Sequence, residues 1–294
     1  MKKYILMTFI SFVFLGCTKE ITLKQAPYDS QISIESLITP GEYPKVYMNK
    51  TLPYLTVDVI NSLFFARNAS ITMTDDNSVI QFHADSVFNY FQCEYIYFYL
   101  GNKIIEVNKT YQLNIDYNSV NYSGSATTNQ PIVLIDNIDY VPNFLDLSGE
   151  HEGITLSFQD NPTVGQYYRF EMRRFADSTA YKPSGGKTPC INGLTVPVKE
   201  IGRTIYSDQN TNNLGLTITF EPSFKHKEGD ETYIFLQVLD KNAFDFFDQI
   251  DRQKQGLFNP FIEPTFIKFT QFKNAFGCFS AYSLSDSVKF IYPE

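Results

Sequence analysis

Cys17 is the residue whose type and position point most directly to a covalent reaction: a lone thiol behind an apolar run and just ahead of the charged pair Lys19-Glu20. A thiol at the end of a membrane-inserted segment is the atom that acylation would modify. Other reactive groups are sparse. His83, His151 and His226 stand apart, none in an HExxH pattern or at metal-ligand spacing from a cysteine, so zinc chemistry finds no ligand set. The stretch SGGKT at 184–188 has the tail of a phosphate-binding loop, but the full pattern needs a glycine where this chain has Tyr181, so a turn is expected. Asp75-Asp76-Asn77-Ser78 and Asp136-Asn137-Ile138-Asp139 carry oxygens that suit calcium, yet both lack the glycine and distal glutamate of an EF-hand loop and read as hairpin turns. No enzymatic activity, metal or cofactor is expected.

Around Cys17 the residues form an address. Lys2 and Lys3 give a positive head, Tyr4 to Leu15 an apolar run broken by Thr8 and Ser11, and Gly16 a small residue before the cysteine. That order is a secretory signal peptide, too short to span a bilayer as a helix. Phe14-Leu15-Gly16-Cys17 resembles a bacterial lipobox, with Phe14 where Leu is usual. Residues 1–16 are then removed, and the lipid on Cys17 anchors the chain instead of spanning the membrane. Residues 17–31 lack apolar periodicity and read as a flexible tether. Lys19-Glu20 resembles the signal that sends lipoproteins of Bacteroidota to the outer face of the outer membrane; a solvated charged pair is the alternative. Ser86, Ser178 and Ser287 each follow Asp and precede Val or Thr, similar to the Asp-Ser/Thr-apolar motif those bacteria use for O-glycosylation of exported proteins.

Without Lys2 and Lys3 the chain keeps 22 of its 24 basic residues against 32 acidic ones, a net charge of −10. Such a surface repels nucleic acid, which is excluded as a partner. Twenty Tyr and 27 Phe with no Trp favour strands over helices. Once Cys17 is acylated, three thiols remain, enough for at most one disulfide, and Cys190 with Cys278 is the expected pair. Cys93, inside FQCEYIYFYL, is expected to be a buried thiol.

Two β-sandwich domains of the immunoglobulin or fibronectin type III kind are expected, one over 32–130 and one over 131–294, with a joint at Asn129-Gln130-Pro131 and one short helix in the second. In the first, Ile71 and Met73 alternate with Thr72 and Thr74, and Tyr111, Leu113, Ile115 and Tyr117 share a face. In the second, Ile154, Leu156 and Phe158 point inward, and Tyr168, Phe170 and Met172 alternate with Arg169, Glu171 and Arg173. A short hairpin is expected within Thr195–Ile205, and a helix from Lys241 to about Lys254 with Ala243, Phe247 and Ile250 on one face. Phe64 and Phe65 in an irregular apolar segment (52–68), with Phe246, Phe258 and Phe261, are the candidate interface residues; a loop covering an open sandwich edge is the competing reading for the first segment and core packing for the other three residues.

The sequences CTKEI, ISIESLITPGEYPKVYMNKT, ASITMTDD, KTYQLNIDY and NAFGCFSAYSLSDSVKFIY together resemble the domain-of-unknown-function 4249 family of Bacteroidota lipoproteins, over nearly the whole mature chain. The resemblance carries no catalytic residues. It implies a partner, because members are commonly encoded beside TonB-dependent outer-membrane transporters. The expected function is that of an outer-membrane, surface-exposed lipoprotein, lipid-anchored, acting as a non-enzymatic accessory or binding subunit of a transporter-like β-barrel. An independent glycan- or ligand-binding protein is the alternative, and a hydrolase a third.

Overall fold

In a computed structural model, the residues described are 28–52, 61–90, 93–146, 149–162, 165–177, 194–202, 205–211, 213–222, 228–258, 267 and 271–293. The elements in chain order are β1 (Ile32–Ile38), β2 (Lys45–Lys50), a four-residue helix α1 (Asn61–Phe64), β3 (Ser70–Thr74), β4 (Val79–Asn89), β5 (Glu94–Gly101), β6 (Thr110–Tyr117) and β7 (Val120–Thr127). They continue with β8 (Asn137–Asp146), β9 (Gly149–Gln159), β10 (Tyr167–Asp177), β11 (Thr195–Ile201), β12 (Tyr206–Ser207), β13 (Gly215–Phe220), β14 (Glu231–Leu239), α2 (Lys241–Phe258), β15 (Ala275–Leu284) and β16 (Val288–Ile291). The fold is all-β and sandwich-like, as the alternation predicted.

Period-two patterning explains the strands one by one. In β6, Tyr111, Leu113, Ile115 and Tyr117 are all buried, in the predicted parity. Asn118 and Ser119, both with positive φ, make the two-residue turn that returns β6 into β7. Ile154, Leu156 and Phe158 of β9 face Tyr168, Phe170 and Met172 of β10 as predicted, and Phe170 stacks on Phe220 of β13.

The expected boundary near residue 130 does not separate two sheets. Strand β1 pairs in parallel with β15, from Ile32–Ala275 to Ile38–Ala281, and β15 pairs with β14. One thirteen-stranded sheet therefore runs β11-β10-β14-β15-β1-β2-β5-β4-β3-β6-β7, with β12 and β16 added at β10 and β14. Its β1–β7 part folds over so that Ala275, Phe279 and Ala281 of β15 share a core with Tyr111, Leu113 and Tyr122 of β6 and β7. A separate three-stranded sheet, β13-β9-β8, covers β10 and β14 and makes the second sandwich layer. Gln31 to Glu294 is one compact unit. The joint at Asn129-Gln130-Pro131 is real only as a connection; the last long strand returns to complete the first half, which no local pattern announces.

Three further expectations change. β11 and β12 both pair with β10 rather than with each other, so Thr195–Ile205 is not a hairpin. Cys278 is a free and fully buried thiol, not half of a bridge; Cys190 lies outside the described residues. Burial pushes that thiol far above its ordinary range, which makes it unreactive. Cys93 is exposed, at a turn with φ +55 just ahead of β5, because the strand begins at Glu94.

Helix α2 starts at Lys241 as expected and runs further, to Phe258. Asp240 caps it, accepting the Ala243 amide at 2.9 Å, and its second oxygen accepts the Ala281 amide of β15, also at 2.9 Å. One carboxylate thus starts the helix and ties it to the sheet. Lys241–Asp245 and Asp248–Arg252 are i,i+4 ion pairs on its outer side. Among the described residues no helix is long and apolar enough to cross a membrane.

Candidate functional site

The site begins where two neighbouring strands part. β2 and β5 are paired at Lys45–Leu100 and Val46–Tyr99 and no further, and beyond that point β2 turns instead to Phe65, through a bridge at Asn49. The gap between the splayed strands is a cavity of about 260 Å³ lined by Tyr47, Asn49, Lys50, Leu52, Phe64, Ile96 and Tyr97. α1 supplies Phe64 as a wall, and the next residue, Phe65, drops into the core and stacks against Tyr97 at 5.6 Å.

A ladder of rings runs from this cavity outward along β4 and β5. Tyr95, Tyr97 and Tyr99 alternate onto one face of β5, where Phe88 of β4 lies opposite Tyr95. Tyr90–Phe88, Phe88–Tyr95, Tyr95–Tyr97 and Phe65–Tyr99 are ring pairs with centroids at 5.1, 5.1, 6.3 and 5.0 Å. Tyr99 is the fixed foot: its hydroxyl donates to the Ala66 carbonyl at 2.6 Å and accepts the Ala69 amide at 3.0 Å. Burial decreases outward, from 3% exposure at Tyr99 to 51% at Tyr95. Such ring pairs are worth roughly 0.5–1.5 kcal/mol each beyond the area they bury.

Cations gather here on an otherwise acidic chain of net charge −8. Lys50 lines the cavity, the Arg67 guanidinium lies 5.4 Å over Tyr97, and Lys45 sits 4.8 Å over Phe98. Burial, and then the Glu35 carboxylate, raise the Tyr47 phenol above its ordinary value, so it stays a neutral hydrogen-bonding group. Among the described residues, the arrangement offers stacking faces, an amide and an ammonium, and no nucleophile paired with a base.

A second polar layer lies on the outer face of β10. Glu171 is fully buried, with one oxygen accepting Arg173 Nε at 2.6 Å and the other accepting Gln237 Nε2 at 2.6 Å and Lys199 Nζ at 2.9 Å. Arg169 donates to Gln237 at 2.8 Å and lies under the Phe247 ring of α2 at 4.9 Å. Each of these groups is hydrogen-bonded to another, and the layer reads as a structural network. Asp160 and Asp208 are likewise buried and satisfied: Tyr168 and the Asn213 amide donate to the first, the Gly165 amide to the second.

The residues singled out from the sequence distribute as follows. Phe64 lines the cavity; Phe65 is its buried floor; Phe246 is 5% exposed and belongs to the core of α2 rather than to an interface. The side chain of Phe258, together with Phe261, Ser178 and Cys17, lies outside the described residues. Ser86 is half-exposed on β4 and Ser287 is exposed between β15 and β16. His83 is exposed on β4, and among the described residues no group of three His, Cys, Asp or Glu is placed to hold a metal ion. Tyr47, Asn49, Lys50, Ile96 and Tyr97 were missed. For Ile96 and Tyr97 the signal was the run EYIYFYL, whose tyrosines at every second position put one aromatic face on the strand, buried at Tyr99 and exposed at Tyr95.

Asp75 is the turn residue its sequence suggested. Its carboxylate accepts the Asn77 and Ser78 amides, both at 2.7 Å. The Asn77 amide first, then the Ser78 amide and the Lys109 ammonium, hold its pKa below the ordinary 3.8, against an opposing effect of burial. A carboxyl depressed in the folded state contributes stability above its unfolded pKa and loses it as pH falls through the folded one. Asp75→Asn is therefore expected to flatten the fall in melting temperature below about pH 4, relative to the parent chain, with little change near neutrality. Parallel acid titrations that superimpose after vertical scaling would contradict this.

A family model for a domain of unknown function, DUF4249, matches residues 18–287. The chain belongs to that family. The match takes in β1 and β15 alike, so the DUF4249 domain covers both halves of the chain and not one of them. No curated protein matches the sequence. In this DUF4249 member the splayed-strand cavity and its aromatic ladder are the candidate binding surface.

Proposed function

We propose that the protein is an outer-membrane, surface-exposed lipoprotein of Bacteroidota, anchored through a lipid on Cys17, and that it acts as a non-enzymatic binding subunit beside a TonB-dependent transporter-like β-barrel. The observation that carries this reading is the cavity between β2 and β5. At about 260 Å³ it falls below the roughly 300–1,000 Å³ of sites that enclose drug-sized ligands, and it suits one inserted side chain from a partner. Aromatic walls with a nearby ammonium and guanidinium form the kind of pocket in which a few residues carry most of a protein–protein binding energy.

Native outer membranes solubilised in mild detergent test it. The chain is expected to migrate with a barrel protein, and a Phe64→Ala/Tyr97→Ala double variant to lose that partner by a factor of at least about 30, on the order of 2 kcal/mol. A parent chain that migrates alone removes the proposal. The second reading, independent capture of a glycan, draws on the same cavity, since Tyr97, Asn49 and Lys50 could seat a single sugar ring. Retention of the purified chain on immobilised polysaccharide, lost in Tyr97→Ala with no barrel present, would select it instead.

A further inference from the structure

The β4–β5 hairpin extends beyond its neighbours in the sheet. β4 pairs with β3 only as far as Gln81 and β5 with β2 only at Val46 and Lys45, whereas β4 and β5 stay paired with each other out to Asn89–Glu94. From Phe82–Gly101 to that end is about 23 Å at the usual strand rise. Among the described residues, this distal part carries Val87, Phe88, Tyr90 and Tyr95; Val87 and Tyr95 are each 51% exposed. It is an aromatic finger rather than a piece of the sandwich.

Strand register states which way the finger points. β1 and β5 are both antiparallel to β2 and so run in one direction. Tyr47 pairs with Glu35 and Val46 with Tyr99, so Tyr99 stands one step beyond Glu35, and Tyr95, four residues earlier, is level with about Ile32. Ile32 is where the chain enters the fold: Gln31 and Thr51 close that end through two hydrogen bonds of 2.8 and 2.9 Å. Leu63, 65% exposed, follows the same end of β2 through the Asn49–Phe65 bridge. The exposed rings and aliphatic groups therefore sit at the end from which the preceding chain leaves. Fourteen residues, 18–31, lie between Cys17 and Ile32, a contour of at most about 50 Å.

Resting on the lipid anchor of the proposed function, we infer that the tip of this finger, Phe88, Tyr90 and Tyr95 with Val87 and Leu63, is a second membrane contact that dips into the headgroup region beside the anchor. Tyrosine suits that depth, with an apolar ring facing the acyl boundary and a hydroxyl facing water. Glu94 and Asp85 flank the tip, so the contact is with the interface of a zwitterionic bilayer and not an electrostatic one with anionic lipid. A lipid chain on Cys17 holds the body near the surface, and the finger fixes which end faces it. The two signals together give the stable, oriented attachment that one weak contact does not.

The chain has no Trp, so a single introduced one reports without background. Full-length acylated protein carrying Tyr95→Trp, or Tyr90→Trp as an independent reporter, is reconstituted in phosphatidylcholine vesicles with brominated acyl chains. Acylation of Cys17 is checked by mass spectrometry before any quenching is read. The expected result is loss of roughly half or more of the emission at both positions, strongest for bromines near the headgroup. Phe175→Trp is the control, since Phe175 is 69% exposed and lies at the other end of the sheet, where β10 runs past Thr232 of β14; it should remain unquenched. Tyr95→Trp emission that aqueous iodide reaches and bromines do not would overturn the inference while leaving the anchor intact. So would quenching equal to that of Phe175→Trp, or shielding that needs a co-purifying protein. A chain without acyl groups on Cys17 would instead overturn the anchor on which both rest.

Discussion

Gly277→Ala is expected to abolish cooperative folding. Gly277 is the third residue of β15, opposite Ile34 of β1, with φ +120. A Cβ added there would stand 1.7 Å from the Ile34 carbonyl oxygen and 2.7 Å from its carbon, where ordinary heavy-atom contact needs about 3.5 Å. Neither backbone has room to withdraw, because Ile34 and Phe279 are both wholly buried and strands continue on either side. The cost exceeds about 4 kcal/mol, comparable with the whole stability of many domains of roughly 5–15 kcal/mol. Soluble yield and thermal unfolding followed by circular dichroism measure it. Gly229→Ala provides the contrast: φ is +79 there but nothing lies within 4 Å of the new Cβ, so only the backbone penalty of about 1–2 kcal/mol applies. A Gly277→Ala chain that melts close to the parent would mean that β1 and β15 are not paired in this register, and the continuity of the thirteen-stranded sheet would fall with it.

Glu171→Gln is the second large effect. The amide keeps the shape of the carboxylate and removes its charge, leaving Arg173 and Lys199 without their shared counter-ion and turning an N–H₂ toward groups that are themselves donors. The cost is about 1–3 kcal/mol and lies at the buried side chain itself, whose new N–H₂ cannot pair with the donors around it; Arg173 and Lys199, each 39% exposed, are hydrated, and Arg173 keeps Glu42. Lys199→Met from the other side should cost less, about 1 kcal/mol or under, since that side chain is 39% exposed and its partner retains Arg173 and Gln237. Urea midpoints at unchanged slope separate the two. Equal and small costs would show that water reaches Glu171 and that the outer face of β10 is not sealed.

Much of the architecture was legible because local patterning carries it. A two-residue period survives any arrangement of strands, so β1, β3, β6, β9 and β10 follow from apolar spacing alone, and the helix at Lys241 from the spacing of Ala243, Phe247 and Ile250. Strand order has no such signature. That β15 closes on β1, some 240 residues earlier in the chain, is a long-range choice made by the whole core at once. The misread thiols have the same origin: Cys278 is enclosed by packing from both halves, and Cys93 sits one residue before a strand whose start no hydrophobic count resolves.

The candidate site divides along the same line. Sequence alone marks Phe64 and Phe65 as part of an irregular apolar segment, because composition and order are enough for that. Tertiary structure decided that Phe64 lines a cavity while Phe65 fills a core, since a bridge from Asn49 turns β2 away from β5 and opens a gap that sequence neighbours cannot reveal. It also decided that Arg169 and Glu171, spaced like solvent-facing residues, are buried, because Phe247 of α2 lies over Arg169 and Lys199 and Gln237 close on Glu171. Alternation states which residues share a face of a strand, and only the packing of other elements states whether that face meets water.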